Sequence, residues 1–186
     1  MDPFKMRQAT FGRNEVSADP ASGRPPPPAP VLALWQPDRA HNLGAALRLC
    51  ACLGVELDVV EPAGFPLDPR RIREAARDYG PMARWSRHAE LDSFLALRRG
   101  QGRRLVLLST RAEAPYHRAA FRADDVLLLG NESRGVPGSV HELVDLRLRI
   151  PMAAGRRSLN VVNAAVLALG ELLRQTGGLD RLADGA

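Results

Sequence analysis

Asp125-Val-Leu-Leu-Leu129-Gly130-Asn131-Glu132-Ser133-Arg134-Gly135-Val136-Pro137 is the stretch that decides the fold. Asp125–Leu129 is a short run, apolar after its first residue, which is the pattern of a strand buried on both faces. It ends in a polar turn with a glycine on either side, and Pro137–Val144 follows as a short helix. A strand that empties through a glycine-flanked loop into a helix is one half of a βαβ unit. The segments around it have the same form. Arg104–Ser109 is a second strand buried on both faces, and Val31–Trp35 is a third. Val55–Val60, a short segment around Arg84–Ser86, and Leu146–Ile150 complete the predicted set.

Helical patterns fill the spaces between. Asn42 to Leu53 places Ala46, Leu47, Leu49 and Cys50 at helical spacing, with Asn42 as a plausible N-cap and Gly54 as the stop. Asp68-Pro69 reads as an N-cap followed by proline at the first helical position, opening a helix that carries Arg70, Arg71, Arg73 and Arg77. Leu91–Arg99 is closed by Gly100, and the last helix runs from Ser158 to about Thr176, before Gly177-Gly178. The expectation is an α/β fold with a mostly parallel sheet flanked by helices, in one domain over residues 31–178. Residues 1–30, with Pro25–Pro28 and Pro30, form a Pro-rich tail expected to be disordered. Met1 to about Phe11 are candidates for vector-derived residues, and residues 179–186 are expected to be a flexible C-terminus.

Composition narrows the class. Of the 186 residues, 26 are basic and 21 acidic, a net charge of +5, and Lys5 is the only lysine. Guanidinium groups suit phosphates and stack on bases, so an RNA partner fits, as does a solvated arginine-rich surface. No apolar run approaches the roughly 20 residues of a membrane span, and no signal-peptide core opens the chain, so a cytoplasmic protein is expected. Cys50 and Cys52 have no second pair and no histidine cluster beside them. They read as packing residues, with no metal site expected.

Three loops leave strands at the carboxyl end of the sheet, where open parallel sheets bind ligands. The first runs from Gln36 to Arg48 and carries Asn42, Gly44 and Arg48; an arginine one turn into a helix can hold a phosphate with a bidentate fork. The second is Gly130–Pro137, whose glycines permit tight turns around a small ligand. It matches neither a phosphate-binding Gly-Lys-Ser/Thr loop nor a dinucleotide fingerprint. The third runs from Ile150 through Pro151-Met152 to Ser158-Leu159-Asn160 and Asn163. Ser158 could cap the final helix. Asparagines in a first helical turn are poor helix formers, so side chains aimed at a ligand or a neighbouring loop are expected.

In this order and at one end of an α/β chain, the three loops closely resemble the three motifs of the SpoU (TrmH) branch of the SPOUT methyltransferases, from about Val31 to Gln175. The Glu61-Pro62-Ala-Gly64-Phe65 turn, the Asp78-Tyr79 pair and Leu148-Arg-Ile-Pro-Met152 are most similar to the TrmL group. The resemblance implies a deep C-terminal trefoil knot, S-adenosyl-L-methionine as cofactor, a homodimer with the active site completed near the subunit interface, and no metal. It implies 2′-O-methylation of the tRNA wobble nucleotide 34. By position, cofactor contacts would fall at Leu108, Gly130, Ile150, Met152, Ser158 and Leu159. The catalytic set would be Arg48, Asn42, Glu132, Ser158 and Asn160, with Arg48 contacting the 2′-hydroxyl or the adjacent phosphate. The chain also departs from the pattern. His41-Asn42-Leu43-Gly44-Ala45 stands where Asn-Thr-Gly-Asn after a proline is usual, Asn131 stands where proline or serine is usual, and Gly170 where relatives often carry tyrosine. Two other readings remain open: a 2′-O-methyltransferase of another tRNA position or of rRNA, and a cofactor- or RNA-binding module without catalysis.

Overall fold

The computed structural model describes residues 29–68, 70, 72, 74, 79 and 82–185. The Pro-rich tail, apart from Ala29 and Pro30, lies outside these residues, as do Arg71, Arg73 and Arg77 of the predicted arginine helix. Its start is described: Asp68 Oδ1 accepts from Arg70 N at 2.8 Å, and Asp68 O accepts from Ile72 N. Seven strands form one sheet: β1 Val31–Trp35, β2 Glu56–Val60, β3 Trp85–His88, β4 Leu105–Leu108, β5 Ala114–Pro115, β6 Val126–Leu129 and β7 Leu146–Arg149. The order across the sheet is β3-β2-β1-β6-β4-β7-β5, and every neighbouring pair is parallel. The two-residue strand β5 gave no signal in the sequence, because a pair so short has no period to read.

Helices cover both faces. Helix α1 (Ala40–Leu53) and α4 (Val161–Gln175) lie against the face to which β1 sends Leu32 and Leu34 and β6 sends Leu127 and Leu129. Helix α2 (Leu91–Gly100) and the short α3 (Gly138–Glu142) lie against the other, where Val31, Ala33, Trp35, Val126 and Leu128 point. The strict alternation along β1 and β6, with both faces buried, is what the apolar runs encode.

Helix ends differ from the sequence expectations in instructive ways. Helix α1 begins at Ala40 with Arg39 at its cap, so Asn42 is no N-cap; it sits inside the first turn with its side chain buried. Its end is as expected, with Gly54 in the left-handed conformation at φ 65°. Ser158 does not cap α4. That role falls to Asn160, whose side chain accepts from the backbone N–H of Val162 and Asn163. Serine and asparagine cap about equally well, and the irregular path of the chain between Ile150 and Asn160 brings Asn160 to the helix start. Residues 179–186 were expected to be flexible. Instead Gly178–Asp184 form a further helix, α5, packed against α4.

Candidate active site

The strand order explains why distant loops meet. Strands β1, β6, β4 and β7 are consecutive in the sheet and parallel, so the segments leaving Trp35, Leu129, Leu108 and Arg149 emerge side by side. Together they enclose a cleft of about 590 Å³, a size suited to a small-molecule cofactor. Leu108, Gly130, Ile150, Met152, Ser158 and Leu159 all line it, as do Asn42, Glu132 and Asn160. Arg48 does not. It is exposed on α1, with its guanidinium 4.9 Å above the ring of Tyr79.

Asn42, Glu132 and Asn160 are joined by a directional chain of hydrogen bonds. Asn160 Oδ1 is committed to the start of α4, accepting from Val162 N at 2.9 Å and Asn163 N at 3.4 Å. Its Nδ2 is therefore the group turned outward, and it donates to Asn42 Oδ1 at 3.0 Å. That contact fixes the Asn42 amide in turn, so Nδ2 donates to Glu132 Oε1 at 2.8 Å. The other carboxylate oxygen, Oε2, accepts from Asp38 N at 2.9 Å. Each amide thus inherits its orientation from the previous one, and the chain ends correctly only on a group that accepts twice, which a carboxylate does. One helix cap in the third loop sets the polarity of a link running through all three loops.

The loop after β6 is built to let backbone come close. A Cβ on Gly130 would stand 2.7 Å from the backbone carbon of Gly135, and Gly135 itself is at φ 69°. Asn131 and Gly135 exchange backbone hydrogen bonds across it. The loop after β1 leaves the sheet through Gln36, a non-glycine residue at φ 45°.

The cleft is electropositive. Arg39, Arg111, Arg134 and Arg157 line it, and Glu132 is the only acidic lining side chain among the described residues. His141 also lines it; burial, followed by the charges of Arg111 and Arg147, holds its imidazole below its ordinary pKa. Beside the cleft, the Ser133 side chain is the main cause holding the Asp38 carboxyl below its usual range. The sequence points to Arg134, between the two glycines of the second loop, but not to Arg39, Arg111, Arg157 or His141. Arg111 could have been found, because it lies three residues beyond β4, at the carboxyl end of a central strand. His141 had no such signal. Among the described residues no group of three or more potential metal ligands occurs.

The fold, the parallel strand order and the cleft at the carboxyl ends define an α/β domain that takes a small ligand across its switch region. The chain belongs to the SpoU rRNA Methylase family, whose model matches residues 29–170. A curated relative from Beijerinckia indica, a tRNA (cytidine(34)-2′-O)-methyltransferase, is 52% identical over 154 residues, covering 83% of this chain and 96% of its own length. A solved structure described as giving insight into the 2′-OH methylation of C/U34 on tRNA is 37% identical. It superposes with a TM-score of 0.75, over 80% of this chain and 97% of that one. An rRNA methyltransferase from Sinorhizobium meliloti with AdoMet bound is 25% identical, with a TM-score of 0.70 over 78% of this chain and 56% of that one.

Proposed function

We propose that this protein transfers a methyl group from S-adenosyl-L-methionine to a ribose 2′-hydroxyl of tRNA, at the wobble nucleotide 34. The observation that carries the reading is the Asn160–Asn42–Glu132 link, which joins three loops around one cleft at the carboxyl edge of the sheet. The relatives whose lengths the match nearly spans bear the same activity in their names.

The residues present fit the cofactor. The tight turn that Gly130 and Gly135 permit puts main chain on the cleft wall, where an adenosine can approach closely. Leu108, Ile150, Met152 and Leu159 supply apolar walls. Bound there, the cofactor would supply a sulfonium methyl group to a nucleophilic oxygen. The chain's own task is then positioning, since displacement at carbon needs an in-line approach. Asn42 and Asn160 hold the first and third loops in register, Glu132 braces the second against the first, and Ser158 lies on the cleft wall to meet the cofactor or the ribose. The four arginines would draw and hold RNA phosphates.

Arg48 requires a second copy of the chain in this reading. It faces away from its own cleft, stacked on Tyr79. Val166 and Leu167 on α4, Leu179 and Leu182 on α5, and Leu159 before them are exposed apolar side chains. Covering these side chains with a partner copy would give a homodimer in which Arg48 serves the partner's cleft, at the 2′-hydroxyl or its neighbouring phosphate. The fold reading brings a trefoil knot, in which α4 passes back toward β6. Gln175, at the end of α4, holds Ala119 O and Phe121 N of the β5–β6 connection. No helix among the described residues is long and apolar enough to cross a membrane, and a cytoplasmic enzyme is part of the proposal.

The test is methyl transfer from labelled S-adenosylmethionine to total tRNA lacking its own wobble methylation, with the product nucleotide mapped. A 2′-O-methyl at position 34 supports reaction, substrate and site together. Methylation elsewhere keeps the reaction and rejects the position. Cofactor binding without transfer to any RNA rejects the enzyme reading. Mixed dimers, in which an Arg48→Ala copy and a Glu132→Gln copy are paired, test the shared site: separate sites predict no activity in the mixture, and a shared one predicts one restored cleft.

A further inference from the structure

We infer that Asn131 is a positioning residue that locks the loop after β6 onto the loop after β1, fixing the cleft in the shape that binds the methyl donor. The inference rests on the cofactor assignment made above and concerns a residue to which that assignment gives no role.

Asn131 is 4% exposed and uses both ends of its amide. Oδ1 turns inward and accepts from Ser133 N at 3.0 Å and Arg134 N at 2.9 Å, an Asx turn that rounds the loop into its tight form. Nδ2 turns outward and donates to Gln36 O at 2.6 Å. The Asn131 backbone completes the loop, with N donating to Gly135 O at 3.1 Å and O accepting from Gly135 N at 2.7 Å. One residue therefore shapes the second loop and ties it to the first.

The tie falls where the first loop most needs it. Gln36 occupies the left-handed region, which costs a non-glycine residue about 1 kcal/mol or more and persists only where its surroundings hold it. Its N donates to Val60 O at 2.7 Å and its O accepts from Asn131. The next peptide unit is held at both ends: Pro37 O accepts from Gly64 N at 2.8 Å, and Asp38 N donates to Glu132 Oε2. Asn131 and Glu132, adjacent in sequence, thus hold the first loop at two points before α1 begins and so place Asn42. Only a side chain with an acceptor and a donor at this reach serves both loops; aspartate keeps the turn and sets an oxygen against the Gln36 carbonyl.

The experiment compares wild type with Asn131→Asp and Asn131→Ser. Cofactor affinity is measured by calorimetry, amide hydrogen exchange is followed over residues 36–44 and over β1 and β6, and tRNA methylation is measured in parallel. N131D is expected to weaken cofactor binding about tenfold and to speed exchange at Asp38 and Asn42, with β1 and β6 still protected. Lowering the pH should restore affinity in N131D, because the protonated carboxyl can again donate to Gln36 O. N131S, which lacks the donor reach, should be weakened without that recovery. Wild-type affinity in both variants overturns the inference. So does weakening in N131D that ignores pH and comes with loss of protection in β1 and β6, which is general destabilisation. A wild type that binds cofactor yet methylates no RNA rejects the proposed reaction, while affinity and exchange still decide the role of Asn131.

Discussion

Replacing Glu132 with glutamine changes one oxygen to an NH₂ group and leaves shape almost untouched, so its effect isolates the polarity of the hydrogen-bond chain. In the native site Glu132 accepts from Asn42 Nδ2 at 2.8 Å and from Asp38 N at 2.9 Å. Glutamine offers one oxygen, so one of these donors must face another donor. Turning the Asn42 amide only moves the mismatch to Asn160, and turning Asn160 removes the cap from α4, itself worth about 1 kcal/mol. The cheapest arrangement loses one bond to a charged acceptor, roughly 1.5–3 kcal/mol, and weakens the other to a neutral one of roughly 0.5–1.5 kcal/mol. The net loss is about 3 kcal/mol. If the loops must keep this register in the transition state, E132Q should turn over about a hundredfold more slowly, at about 1.4 kcal/mol per factor of ten. The assay is single-turnover methyl transfer to a tRNA transcript at saturating cofactor, with thermal melting as the control. A rate for E132Q within threefold of wild type would refute the argument that the chain of amides sets the site.

Four further outcomes follow. Arg98 on α2 is 2% exposed and makes a bidentate pair with Asp58 at 2.7 and 2.8 Å, while Nη2 also reaches Glu56 and His88 Nε2 lies 3.0 Å from Asp58. Arg98→Met leaves a buried carboxylate with its main partner gone and should cost about 3–5 kcal/mol, or about 10 °C in melting temperature; a shift under about 2 °C would rule out the pair as a structural anchor. Burial alone would raise the Asp58 pKa, but the bonds and charges of His88 and Arg98 outweigh it and hold it below its ordinary value. Its contribution to stability is therefore full above the unfolded carboxyl pKa of about 3.9 and lost as pH falls through the lower folded value, so acid unfolding should begin below about pH 4 in wild type and be shallower in Asp58→Asn. Burial raises the Cys50 thiol to about 12, whereas Cys52 is exposed. One thiol per chain should react quickly with a disulfide reagent in the native state, and two fast thiols would contradict the packing of α1. Gly130→Ala would put a methyl group 2.7 Å from Gly135 backbone, so calorimetry should find cofactor binding at least tenfold weaker; unchanged affinity would show that the loop gives way freely.

What the sequence discloses here follows the range of each interaction. Strands β1, β4 and β6 are legible because burial on both faces leaves a run with no polar residue, and the end of α1 is legible because a left-handed cap at Gly54 calls for glycine. These are local constraints, written within a few residues. Asn160 is misplaced by two positions because serine and asparagine cap equally well on paper, and only the path of the irregular segment before α4 selects between them. Asn42 looked like a cap for the same reason. Its true partners, Glu132 and Asn160, stand 90 and 118 residues away, and no local pattern announces a bond at that separation. Arg48 lies furthest beyond the reach of local pattern: its place on α1 is predictable, while the direction it faces depends on Tyr79, on a separate segment of the chain.

The polar residues of the site also show why the sheet order matters more than any one motif. The bonds among Asn42, Glu132 and Asn160 are each modest, and taken singly none would hold a loop against solvent. They hold because the strands that launch these loops, β1, β6 and β7, are locked in one register beneath them, with β4 between the last two: β1 pairs with β6 through Val31–Leu34, β6 with β4, and β4 with β7. The rigid edge places the loop bases within a side chain's reach, and the polarity fixed at the α4 cap then leaves one way to arrange the amides. A cleft made this way is preorganised before any ligand arrives, so the cost of ordering its walls falls on folding rather than on binding. That separation is what a positioning catalyst requires. It also means that damage at Asn131 or Glu132 should appear in ligand affinity and turnover while the strands beneath remain intact.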